Sequence, residues 1–204
     1  MDIVYHRDHN MRTHKGLRTW IDCISETKPG AMCWFGTRCS SFTGMSRRYH
    51  KRCAANGFWG DCSRKFVCEG NIMLVVTALA MLFAFLCDSS PALEQPASSV
   101  MPKMEPMKSV LTSIGAKKAI VWHGAYSGTS PKPLQLWSHQ DLRDVARKKP
   151  RGIRDTLVSC EVKHSGKIAY SGRKKELKAS QTYCMAFGKA VASVAKRWLK
   201  KSDQ

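Results

Sequence analysis

Apolar residues cluster most densely between Ile72 and Cys87, sixteen positions without a charge and with only Thr77 breaking the run. Continuous apolarity of this kind carries no amphipathic period, so it predicts a helix apolar on all sides. A bilayer crossing takes about 20 such residues and an export-signal core about 7 to 15, so the run falls between the two. Its downstream flank, Ser90-Pro91-Ala92, places small residues at the two positions that matter for a signal-peptidase cut after Ala92.

Elsewhere the pattern has clear periods. In "DTLVSCEVKHSGKIAYSG" Val158, Cys160 and Val162 alternate with Ser159, Glu161 and Lys163, and Ser165-Gly166 turns the chain toward Lys167-Ile168-Ala169-Tyr170, which predicts a β-hairpin. Cys184, Phe187, Val191, Val194 and Trp198 recur at steps of 3 and 4, with Lys189, Ser193, Lys196 and Lys200 on another face. That is an amphipathic helix, and the hairpin is the surface it is expected to cover. Residues 119–122 read as a strand, the stretch before them as a short helix or strand, and 139–149 as a helix capped by Ser138 and closed by Pro150 and Gly152.

These elements predict a small α+β domain over 108–204, preceded by a Pro- and Met-rich linker at 93–107, a signal peptide or signal anchor at 72–92, and a Cys-rich basic segment at 1–71 with no sustained period. The last reads as not forming a folded domain. If the run is an export signal it belongs at a chain start, which would make Met73 the translation start and residues 1–71 an artefact of start-site choice, although Met73 lacks a basic n-region. The second reading keeps the whole chain as a single-pass membrane protein. Arg52, Arg64 and Lys65 upstream against Lys103 downstream then leave the N-terminus in the cytoplasm. A third makes the run the core helix of a soluble protein. The first two place the C-terminal part in the cell envelope or outside the cell.

Charge changes the picture of partners rather than of fold. The chain carries a formal net charge of +19 over 204 residues, and both sides of the run are basic. An anionic macromolecule or membrane surface is the expected partner, with nucleic acid the less favoured choice because no RNP-like aromatic pattern is present. Two runs are the candidate anion-binding surface: Arg147, Lys148, Lys149, Arg151 and Arg154, and Arg173, Lys174, Lys175 and Lys178.

Six cysteines precede the run, without the paired C-x2-C or H-x3-H steps of zinc sites. Cys160 and Cys184 are the only two beyond Cys87, on apolar faces of the predicted strand and helix, and form the candidate disulfide. Chemistry is scarce. "WHGAYSG" brings His123 and Ser127 close in sequence and suggests a hydrolase, but the G-x-S-x-G elbow is missing, and His123, His139 and His164 lack metal-ligand spacing. No phosphate loop or dinucleotide fingerprint occurs, so no cofactor, metal or catalytic residue is expected. The sequence predicts an exported or membrane-anchored basic protein that binds an anionic partner without chemistry of its own.

Overall fold

The computed structural model describes residues 10–127, 131–146, 158–162, 164–165, 168–172 and 182–202. Four strands form a mixed sheet: β1 (Met32–Phe35), β2 (Ser90–Pro96), β3 (Lys117–Trp122) and β4 (Pro133–Ser138), in the order β1-β2-β4-β3. β1 runs parallel to β2, while β2 with β4 and β3 with β4 are antiparallel. Parallel neighbours need a crossover connection. Here it includes the apolar run itself, as the long helix α3 (Lys65–Leu86).

Alternation along the strands sorts side chains to two faces. On one face Cys33, Phe35, Leu93 and Trp137 meet α3, together with α1 (His14–Ser25) and α4 (Glu105–Ser113). On the other Trp34, Ala92, Val121, Leu134 and Leu136 meet the C-terminal helix, which we number α5 (Met185–Ser202). The sheet is thus sandwiched between helical layers. A short helix, α2 (Arg47–His50), and two further strands, β5 (Val158–Val162) and β6 (Ile168–Gly172), complete the fold. β5 and β6 pair antiparallel with Val162 opposite Ile168.

Several expectations are corrected. The supposed linker at 93–107 holds most of β2, and Met101, Met104 and Met107 are fully buried among the α3 and α4 side chains. Its prolines misled the reading. β2 pairs with β1 through Ser90–Leu93 and with β4 through Leu93–Pro96, so Pro91 and Pro96 each have a paired strand on one side only, the setting in which a missing N–H is tolerated.

Nor are residues 10–71 unfolded. Thr13 caps α1 by accepting the Gly16 N–H at 3.1 Å, and a Cβ on Gly16 would lie 2.0 Å from Asn10 O, so the cap turn requires glycine there. The loops before α3 close around Arg52, which is 2 % exposed. Its guanidinium donates to the carbonyls of Ser41 (2.7 Å), Phe58 (2.7 Å) and Trp59 (2.9 Å), and to Asn71 Oδ1 (2.8 Å) and Ser41 Oγ (2.7 Å). It also lies 4.5 Å over the Phe42 ring. Burial without a carboxylate lowers the Arg52 pKa to about 10, and the acceptor cage offsets that cost.

The helix expected over 139–149 is, as far as it is described, a single turn at Arg143–Val145, with Ser138 Oγ accepting the Gln140 N–H and Asp141 Oδ1 the Arg143 N–H. The amphipathic stripe of α5 is buried at Phe187, Val194 and Trp198, packed, among the described residues, with side chains of the four-stranded sheet. Val162, expected to face a core, is exposed.

Candidate functional site

Both basic runs of the sequence reading, Arg147, Lys148, Lys149, Arg151 and Arg154, and Arg173, Lys174, Lys175 and Lys178, lie outside the described residues. Of the candidate disulfide, Cys184 is a free thiol whose Sγ donates to Tyr126 O at 2.8 Å, and Cys160 stands opposite Tyr170 in β5. Cys184 sits at the head of α5, which packs, among the described residues, with side chains of the four-stranded sheet.

His123 and Ser127 do not assemble into a hydrolytic pair. His123 is buried and its Nε2 accepts the Cys184 N–H at 3.0 Å, which leaves the proton of the neutral ring on Nδ1. Burial first, and the Lys132 charge second, hold its pKa below the usual histidine range. Ser127 takes a left-handed turn at φ 64° and donates its backbone N–H to His123 O, and among the described residues no side-chain hydrogen bond joins the two. The imidazole thus fastens the start of α5 while edge-on to Phe187. Among the described residues no cluster of His, Cys, Asp or Glu is arranged to hold a metal.

A second fastening lies nearby. Tyr183 donates its hydroxyl to the buried Glu94 carboxylate of β2. Desolvation pushes the Glu94 pKa up, against the hydrogen bond from Tyr183 and the Lys132 charge, which pull it down. The Tyr183 pKa is raised in turn, by burial and by the Glu94 charge. Burial thus keeps the Tyr183 hydroxyl protonated as the donor, while it works against the charged form of Glu94.

The most unusual surface is the outer side of α3. Its inner side is buried at Val67, Leu74, Thr77, Ala78, Ala80, Met81 and Ala84. On the outer side Ile72 (50 %), Val75, Leu79 (61 %) and Leu86 (70 %) are exposed, at steps of 3, 4 and 7 that keep them on one face. From Ile72 to Leu86 this apolar strip runs about 21 Å at the helical rise per residue. Exposed Lys65 precedes Ile72 by two turns on the same face, and exposed Lys51 and partly exposed Arg64 flank that end, both paired to Asp61 at 3.1 and 3.2 Å. Asp61, bonded to Ser63, Lys51 and Arg64, is held well below the usual carboxylate range.

Sequence reasoning found the run but not its two-sidedness, because a helix apolar on both its inner and its outer side shows no polar face. Length and mean hydropathy would let this helix cross a membrane, yet a third of its apolar window is buried inside the protein. Comparisons with family models, with curated proteins and with solved structures gave no match.

Proposed function

We propose that the protein is a non-catalytic binding protein for an anionic membrane surface, which it meets with the outer side of α3. The observation that carries this reading is the exposed aliphatic strip Ile72, Val75, Leu79 and Leu86 on a chain of net charge +19. Contiguous exposed apolar surface marks partner or membrane contact, and basic groups beside it add attraction to anionic lipid of about 1 kcal/mol each near the surface. The helix lies along the interface and does not cross it, since its inner side already serves as the floor of the sheet.

The intact chain is the form that binds. A cut after Ala92 would fall within β2, separating Ser90–Ala92, paired to β1, from Glu94–Pro96, paired to β4. This pairing supports a whole protein held peripherally over an exported C-terminal fragment, with the cell-envelope setting retained as part of the proposal.

Co-sedimentation of the full chain with vesicles tests this. Binding is expected to vesicles containing phosphatidylglycerol and not to pure phosphatidylcholine, to fall steeply as salt rises, and to weaken about tenfold in Leu79→Ser, the loss of roughly one buried leucine contact. Equal binding of Leu79→Ser and the unaltered chain would overturn the assignment of the contact. Salt-sensitive binding to duplex DNA with none to anionic vesicles would replace lipid by nucleic acid as the partner.

A further inference from the structure

A cleft of about 460 Å³ opens where α1, the end of β1 and the first half of α3 converge. That volume falls in the range of small-molecule sites. Its walls include four aromatic side chains, Trp20, Trp34, Phe35 and Phe66, with Trp20 and Phe35 in tilted contact at 5.0 Å. Two cations line it as well, and they differ in availability. Arg12 is engaged, its Nη1 2.9 Å from Glu69 Oε1. Arg38 is exposed and donates from Nε to Ser40 Oγ at 3.1 Å, while among the described residues no hydrogen bond or ion pair engages its two terminal amino groups.

The hydroxyls in the cleft have partners already. Thr37 and Thr77 bond each other at 2.9 Å, Thr77 also donates to Met73 O at 2.6 Å, and Ser41 Oγ accepts from Arg52. A flat apolar ring finds aromatic faces on which to stack. An anionic group finds the free fork of Arg38, a geometry suited to two-point contact with a carboxylate. We infer that this cleft is a binding site for a small planar aromatic molecule bearing one anionic group, its ring between the aromatic walls and its charge at Arg38. This is independent of the lipid-binding reading, since none of the strip residues lines the cleft.

Gly36 offers a clean way to close it. It lines the cleft, its φ is not in the left-handed region, and a Cβ there would meet nothing nearer than Tyr183 Oη at 3.5 Å. A side chain at this position strains no backbone and grows from a Cβ beside Tyr183 Oη and the Trp34 ring, itself a wall of the cleft, so that its bulk displaces that wall.

The test uses indole-3-carboxylate and its neutral analogue indole-3-carboxamide, titrated into the full chain while the indole N–H resonances of Trp20 and Trp34 are followed. The carboxylate should bind at least about fivefold more tightly than the amide, as one exposed charge-assisted contact allows. Both tryptophan signals should shift. Arg38→Gln should erase the preference while leaving amide binding unchanged, and Gly36→Leu should abolish binding of both probes with the thermal transition preserved. Should Gly36→Leu prove unfolded, Gly36→Ala with a smaller loss of both affinities replaces it. The inference is overturned if the two probes bind equally to the unaltered chain, if neither shifts Trp20 and Trp34 at millimolar concentration, or if a folded Gly36 variant binds as before.

Discussion

Glu94 and Arg52 are charged residues with almost no exposure, and both stand in stretches whose composition suggested loops. Neither was legible from pattern, because periodicity registers where apolar residues fall and is silent about a charged group satisfied by a folded cage. In the sequence Arg52 is one of several basic residues in "RRYHKRC", and only the closure of the Ser41, Phe58 and Trp59 carbonyls around it sets it apart. Glu94 has a consequence for pH. Its folded-state pKa is raised by burial, so the folded chain holds the proton more tightly than the unfolded one, and stability falls as pH rises from the ordinary carboxylate range through the folded value. The groups facing it are Tyr183, Lys132 and the Cys39 thiol, itself raised by burial and by the Glu94 charge. Glu94→Gln, which keeps an acceptor for the Tyr183 hydroxyl, should therefore be at least as stable as the parent at pH 8 and lose that loss of stability with rising pH. Urea unfolding between pH 4 and pH 8 checks this; a variant less stable at pH 8 than at pH 5, like its parent, would assign the dependence to other groups.

Elements with a clean period were legible: α5 with its stripe, β3, and the β5–β6 pairing. What those elements pack against was not, since a stripe records that a face is covered and not by what, and α5 turned out to lie on β1, β2, β3 and β4 through Phe187, Val194 and Trp198. β2 was missed because two prolines and two buried polar residues mask it. Gln95 accepts from Ser99 Oγ at 2.9 Å four residues on, but donates to Thr37 O at 2.7 Å, a contact made across the fold that no window of sequence contains. The aromatic cleft escaped for the same reason, as Trp20, Trp34 and Phe66 come from three separate elements. The two sides of α3 lead to opposite expectations for equally conservative changes. Leu74→Ala, at a fully buried position, should cost about 2 to 5 kcal/mol, whereas Leu79→Ala on the exposed strip should stay within about 0.5 kcal/mol. Chemical denaturation of both variants decides it, and equal costs would mean that the outer side is also packed in the folded protein.

For the molecule as a whole, the apolar run is the crossover that joins the parallel pair β1 and β2 and forms much of one face of the core. A signal or anchor would be separable from the domain it delivers; here α1, β1 and α3 lie on one side of the signal-like Ser90-Pro91-Ala92 and β4, α4 and α5 on the other, with β2 holding both. In the function proposed here, net charge and the α3 strip act together at a lipid surface without the helix leaving the fold. Amide hydrogen exchange on the full chain without lipid tests this most directly. The amides of Leu74, Ala78, Met81 and Ala84 should exchange only through global unfolding, at the same free energy as those of Leu93 in β2 and Leu136 in β4. Exchange across residues 74–84 at local-fraying rates, while Leu93 and Leu136 stay protected, would contradict the account and restore α3 to a detachable signal or anchor segment.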